Sequence, residues 1–343
     1  MSGSTWPLQL SLILFVVSAA VIGVCGVMLT HRTERLAADT GLGQAIMGAV
    51  FLGAVTSLAG LMTSVTAAFE GHAQLSVSNA VGGSAVQTTF LALADALYRQ
   101  ANLEHAAASE ANLVQAALLV VLLGIALLAG SSPPLTVWGV HPVSLALVAA
   151  YVFGIRLIAG ARHEPMGRPK RTRETEAPER QGKARNRREY WLLWASFALL
   201  AATVALAGWV IAKAGTSISV HTGLSEGLVG TLFTATSTSL PEAVIAIAAV
   251  RRGALTLAVG DIIGGNTFDV LFLAFSDVFY RSGSIYHAVT ATQTFWLSLS
   301  LLMAAVLLLG LLRREKHGIG NIGFESFLVL SLYGAGVLLL LAA

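Results

Sequence analysis

The sequence predicts an all-α polytopic membrane protein, with ten transmembrane helices arranged as two inverted five-helix repeats. Of its 343 residues 55% are hydrophobic and only 11% charged, with a mean hydropathy of +0.75. Apolar runs of about 18 or more residues recur along the whole chain, each long enough to cross a hydrocarbon core of about 30 Å. The chain also matches itself at an offset of 182 positions, without a gap. In lipid the apolar runs must be helical, because the backbone has to satisfy its own hydrogen bonds.

The first half gives spans at 8–30, 40–68, 73–97, 112–130 and 142–160, and the second at 190–213, 222–250, 254–280, 291–312 and 324–342. This divides the chain into a first repeat (1–160), a basic linker (161–189) and a second repeat (190–343). The first span is read as a membrane span and not a cleaved leader, since Met1 to Thr30 contains no Lys or Arg. The single cysteine, Cys25, excludes an intramolecular disulfide.

Orientation follows from Lys and Arg. With the linker in the cytoplasm, the inside loops hold Arg32, Arg35, Arg99, Arg251, Arg252, Arg313, Arg314 and Lys316 beside the linker's own cations. Only Lys213 and Arg281, of 21 Lys and Arg, fall outside. A multi-pass plasma-membrane protein is therefore expected, with both termini and the Glu70–Gln74 loop extracellular and Arg173 of the linker cytoplasmic. The linker, rich in Arg, Glu and Pro, reads as a solvated tether whose basic excess can touch anionic headgroups.

At the repeat offset, Thr40–Gly60 lies on Thr222–Glu242 and Asn79–Arg99 on Asp261–Arg281. Over Thr40–Arg99 there are 20 identities in 60 positions, and the register keeps His105 on His287 and Tyr151 on Tyr333. Five spans per half is an odd number, so the second half enters from the opposite side of the membrane. Inverted repeats of this kind place a substrate site near the midplane, at matching helix interruptions.

The interruptions are legible. In Ser237-Thr238-Ser239-Leu240-Pro241-Glu242, the proline removes one helical hydrogen bond and frees the carbonyl of Ser237. Thr238 and Ser239 add hydroxyl oxygens, and Glu242 a carboxylate in mid-membrane. These are donors for a hard cation. In the next span Gly264 and Gly265 allow close approach or unwinding, Asn266 offers a carbonyl oxygen, and Asp269 lies about 60° around the helix from it. Asp261 is about 140° away and a weaker candidate. Asp95 with Arg99, and Asp277 with Arg281, read as interfacial i, i+4 ion pairs. His105 and His287 read as anchors of helix ends. There is no HExxH, GxSxG, CxxC or Walker A pattern, so neither enzymatic hydrolysis nor ATP-driven pumping has support.

The stretch from Thr238 to Phe272 resembles the second alpha-repeat of the sodium/calcium exchanger family, which reads G-T-S-L-P-E and then G-N-x-x-G-S-N-x-F-[ND]. Thr238, Ser239, Leu240, Pro241 and Glu242 match, as do Gly260, Gly264, Asn266, Phe268 and Asp269, while Asp261 and Gly265 are substitutions. The first repeat keeps Thr56, Ser57 and Leu58 but has Ala59 and Gly60 for Pro and Glu, Ser84 for the second Asn and Gln87 at the last position. The resemblance implies a ten-helix fold and cation antiport by alternating access, with inorganic cations and the lipid bilayer as partners. It implies no nucleic acid and no cofactor beyond transported ions such as Ca2+, Na+ or H+. The implied cation ring is Thr56, Ser57 and Ser84 with Thr238, Ser239, Glu242 and Asn266, bordered by Ser237 and Gly60. Glu242, Asn266 and Asp269 are the implied metal contacts. Glu242 is then the one carboxylate at the centre, Asp269 and Asp261 can restore charge nearby, and a carboxylate added at Gly60 should face Glu242 and strengthen divalent binding. Three functions stay open at this point: Ca2+ exchange against Na+ or H+, monovalent cation/proton exchange, and a transport-inactive sensor or partner subunit.

Overall fold

The computed structural model describes residues 5–40, 53–98, 109–163, 187–251, 253, 255–313 and 323–342. In order the helices are α1 (Leu8–Thr40), α2 (Gly53–Thr56), α3 (Leu58–Phe69), α4 (Ala73–Leu97), α5 (Glu110–Ser131), α6 (Pro142–His163) and α7 (Arg187–Thr222). They continue as α8 (Glu226–Thr238), α9 (Leu240–Arg251), α10 (Leu255–Asp269), α11 (Leu271–Phe279), α12 (Ala291–Arg313) and α13 (Phe324–Ala342). The start of the second expected span, Arg99, His105, Arg252, Arg314, Lys316 and Arg173 lie outside the described residues.

Among the described residues, seven helices are long and apolar enough to cross a membrane: α1, α5, α6, α7, α10 running on into α11, α12 and α13. The pair α8 and α9, bent by 49°, makes an eighth. Two of the ten expected spans do not pass that test. α3 is apolar but has only 12 residues. α4 has 25 residues, yet Ser76, Ser78, Asn79, Ser84, Gln87, Thr88 and Thr89 are all buried along it. A helix so polar cannot face hydrocarbon. Accordingly α4 is jacketed by α3, α8, α9, α10, α11, α12 and α13 and forms the axis of the bundle. Many of the apolar residues left exposed lie on peripheral helices, among them Ile13 and Val16 on α1, Leu199 and Leu206 on α7 and Leu338 on α13.

Contacts recur at the repeat offset. A side chain on Gly26 would collide with Pro241, and one on Gly208 with the Ala59 carbonyl; both members of the second contact lie 182 positions from those of the first. The approach of Gly82 to Ala235 is likewise matched by that of Gly53 to Gly264. Gly71 and Gly253, just beyond the C-termini of α3 and α9, both take positive φ, at 89° and 73°. Glycine ends a helix there without a Cβ penalty.

Asp277, near a span end, has a different role from the expected ion pair. Asp277 accepts hydrogen bonds from the His141 and Ile285 amides, at 2.6 and 3.0 Å, and from the Ser144 hydroxyl at 2.8 Å. Its two oxygens thus tie the start of α6 to the loop after α11, and Arg281 forms no ion pair with it. Asp95 receives the Gly323 amide at 3.2 Å, before α13, in the matching arrangement. Backbone amides at a helix start suit a carboxylate better than an exposed Arg does. His287 anchors as expected, with Nε2 2.6 Å from the Ser132 carbonyl oxygen.

On one side of the bundle, Lys213 of α7 pairs with Glu70 at 2.8 Å, and His72 Nδ1 meets Glu226 at 2.6 Å. The other oxygen of Glu226 accepts the Leu75 amide at 3.3 Å, so this carboxylate joins α8 to the start of α4. The hydrogen bond from His72 to Glu226 raises the imidazole pKa above 6.5, with Glu70 adding to the rise and burial and Lys213 opposing it. A histidine held protonated by the fold gives stability that is complete below its unfolded value and lost as pH rises through the raised one. Thermal stability of the purified protein should therefore fall between about pH 6 and about pH 9 by more than in His72→Gln, whose profile should be flatter. Parallel profiles would show that the pair contributes nothing.

Candidate cation site at two helix breaks

The two interruptions are at Ser57, between α2 and α3, and at Ser239, between α8 and α9. Their backbone angles nearly coincide: φ −79° and ψ 4° at Ser57, φ −94° and ψ 8° at Ser239. The second break thus precedes Pro241, expected to mark it, by two residues. The proline occupies the first turn of α9, where a missing N–H costs little. The first break forms with Ala59 in the proline's place, so the bend does not depend on proline. The hydroxyls flanking the breaks are treated alike: Thr56 donates to the Gly53 carbonyl at 3.1 Å and Thr238 to that of Ala235 at 3.2 Å. Each hydroxyl oxygen keeps lone pairs for another partner.

Around the breaks Thr56, Ser57, Ser84, Thr238, Ser239, Glu242, Asn266 and Asp269 are all at most 4% exposed, and Ser237 lies at the margin at 9%. Both oxygens of Glu242, Oδ1 of Asp269, Oδ1 of Asn266, the Ser57 hydroxyl and Oε1 of Gln87 are buried without a hydrogen-bond partner. Thr56 stands beside Glu242, and Ser57 beside Asp269, but neither completes a hydrogen bond to its neighbour. Asp269, expected to restore charge near the centre, is buried beside the breaks with Oδ1 unpartnered, as both oxygens of Glu242 are. Asp261 also keeps both oxygens unpartnered, but Glu34 of α1 is its charged neighbour. It lies eight residues from Asp269, about 12 Å along the helix. Among the described residues no three of His, Cys, Asp and Glu converge as a metal cluster. The donor set is two carboxylates among neutral oxygens.

Several residues outside the expected ring hold it in place. Gln87 donates its amide to Asp269 at 2.7 Å and to Ser239 at 3.3 Å. Gln87 and Asp269 are repeat equivalents that meet each other, as residues beside a two-fold axis do. The glycines around them repeat the relation: Gly83 approaches Asp269 and Gly265 approaches Gln87. Asn79, the equivalent of Asp261, donates to the Gly60 carbonyl at 3.1 Å and to Ser64 at 2.9 Å, and accepts from Thr234 at 2.8 Å. Thr234 ends a single π-helical stretch, Val229–Thr234, in α8. Asn266 donates to Thr88 at 2.9 Å, which leaves its carbonyl oxygen free for the ring. For Gln87 the signal in the sequence was the repeat itself, which sets an amide donor opposite a carboxylate.

Position 60 departs from expectation. A Cβ on Gly60 would lie 2.8 Å from Cε2 of Phe272, whose ring is buried. Phe272 packs edge-to-face on Phe268, and Phe268 on Tyr151, with ring centroids 6.1 and 6.0 Å apart. The edge of this aromatic wall stands in the space that a carboxylate at position 60 would need, so a glutamate there has to displace the Phe272 ring. Gly60→Ala should cost about 1–3 kcal/mol through overpacking. In a Phe272→Leu background the cost should shrink, read as coupling in a double-mutant cycle of thermal or denaturant stability. Additive effects would place the ring elsewhere.

A sequence model of the family described as "Sodium/calcium exchanger protein" matches residues 10–158 and 191–342. "Putative antiporter CaxA" of Alkalimonas amylolytica is 26% identical over 304 residues, covering 87% of this chain and 90% of that protein. Among solved structures, the H+/Ca2+ exchanger CAX superposes with a TM-score of 0.72 at 13% identity, covering 96% of this chain and 82% of that one. The sodium–calcium exchanger NCX_Mj superposes with a TM-score of 0.60 at 17% identity, covering 97% and 99%.

Proposed function

The chain belongs to the sodium/calcium exchanger protein family, and from that premise we propose that it is a secondary cation antiporter moving Ca2+ against Na+ or H+ by alternating access. One observation carries the reading: buried oxygens without protein partners, two carboxylates among them, gather where α2/α3 and α8/α9 break beside α4 and α10. Leaving a buried polar group unmet costs about 1–3 kcal/mol, and more for a charge. A hard cation relieves that cost at every oxygen together. Glu242, Asp269, Asn266, Ser57 and the flanking hydroxyls of Thr56, Thr238 and Ser239 are the ligands in this reading. Ser84 and Ser237 border them, and Gln87 orients Asp269. When both carboxylates are ionised, one divalent ion or two monovalent ions balance the site.

Ten spans in two inverted repeats, 1–160 and 190–343 about a linker, belong to the same reading. The paired contacts at the repeat offset support it, as does the equal geometry at Ser57 and Ser239. Sidedness supports it too. Lys213, expected outside, is paired with Glu70 of the loop expected outside. Arg32, Arg35 and Glu189, expected inside, share one cleft. We place the protein in the plasma membrane with both termini extracellular.

In proteoliposomes Ca2+ uptake should follow an imposed Na+ or pH gradient, and Glu242→Gln should bring it to the level of protein-free vesicles. Asp269→Asn should weaken Ca2+ affinity with less effect on monovalent flux. Flux of Na+ or K+ against H+ with no Ca2+ component would replace calcium with the monovalent reading, and no flux of any ion would favour a sensor. For topology, a cysteine introduced at Arg173 in a Cys25→Ala background should resist impermeant thiol reagents in intact cells, and one at Gln74 should react. The opposite pattern would invert the orientation.

A further inference from the structure

Away from the ion site, a cleft of about 320 Å³ opens between α1 and α7 and is lined by Arg32, Arg35, Glu189, Leu192, Leu193 and Ser196. Neither guanidinium makes an ion pair among the described residues, although Glu189 shares the cleft. The flanking surface is apolar and open, with Trp191 63% and Leu192 59% exposed. Two unpaired cations at the ends of membrane helices, above an apolar flank, match an anionic headgroup with its acyl chains below. The planar forks of arginine suit phosphate oxygens. The start of α7 at Arg187 adds the positive end of a helix dipole nearby.

We propose that this cleft is a binding site for the phosphate of an anionic phospholipid, bridging α1 and α7. The occupant is a lipid rather than a free anion because the cleft opens at the edge of the bundle, onto side chains that require hydrocarbon. Leu192 and Leu193 form its apolar wall, while Arg32 and Arg35 supply the charge. Glu189 selects against headgroups with further negative charge beyond the phosphate. The assignment stands independently of which ions are exchanged.

The experiment uses the full-length detergent-purified protein, native mass spectrometry and thermal stability. The probes are phosphatidylglycerol, phosphatidylcholine and inorganic phosphate. Phosphatidylglycerol should be retained and should raise the unfolding temperature, while phosphatidylcholine should do neither. Arg32→Gln with Arg35→Gln should weaken phosphatidylglycerol binding about 30-fold, as loss of about 1 kcal/mol for each of two interfacial cations requires. Ser196→Trp, which fills the cleft and keeps both charges, should do the same. Arg32→Lys with Arg35→Lys should retain most of the binding, showing that loss in the glutamine variant is not misfolding. Unchanged phosphatidylglycerol retention in both the glutamine and the tryptophan variants would overturn the site. Equal, arginine-dependent stabilisation by inorganic phosphate would overturn the lipid as its occupant.

Discussion

An oxygen atom buried in a helix bundle must be met by a donor or a cation, and the architecture is arranged around oxygens met by no donor. Thr56 and Thr238 pass their hydroxyl protons to local carbonyls, so neither proton reaches Glu242. The amide of Asn266 is spent on Thr88, which points its carbonyl oxygen the other way. Each arrangement turns a group that can donate into one that accepts. A site for a neutral hydrogen-bonding solute would mix donors and acceptors, whereas a cation requires acceptors alone.

Supporting acceptors in mid-membrane requires a polar helix, and a polar helix requires a jacket. α4 carries Asn79, Ser84, Gln87 and Thr88, and it is surrounded by helices from both halves of the chain. Close backbone approach makes the jacket tight. Gly82 lies against Thr231 and Gly230 against Ser78, so no side chain separates α4 from α8. α1 and α7 close the breaks in turn, through Gly26 against Pro241 and Gly208 against Ala59. Without a hydrophobic drive between helices in lipid, such small-residue contacts carry much of the association.

The helical membrane fold, the repeat register and the residues gathered at the two breaks were legible in the sequence, because each is local or repeats at a fixed offset. The serines at the breaks, the closeness of Gly264 to a facing helix and the burial of Asn266 follow from motif chemistry. What the sequence obscured depends on contacts between segments far apart in the chain. Asp277 looked paired with Arg281 because i, i+4 spacing is visible, whereas its partners His141 and Ser144 lie more than 130 positions away. α4 looked like an ordinary span because residue counts do not reveal which helix occupies the middle. Pro241 drew the break toward itself, though Ser57 bends equally well before Ala59.

Position 60 shows how a duplicated frame holds an unequal site. The backbone treats the halves alike: Gly60 and Glu242 both follow a break by three residues. The side chains do not. On one side a carboxylate enters the ring, and on the other the ring of Phe272 stands against Gly60 within an aromatic wall reaching Tyr151. A void beside Gly60 would cost packing. The Phe272 edge fills that space, and Asp269 has as its equivalent in the other half the neutral Gln87 that donates to it. Both acidic groups, Glu242 and Asp269, therefore come from the second half, and the first half contributes neutral oxygens and an amide donor. Breaks and glycine contacts match at the repeat offset, while the side chains differ at two positions, 60 and 87, where the second half carries Glu242 and Asp269.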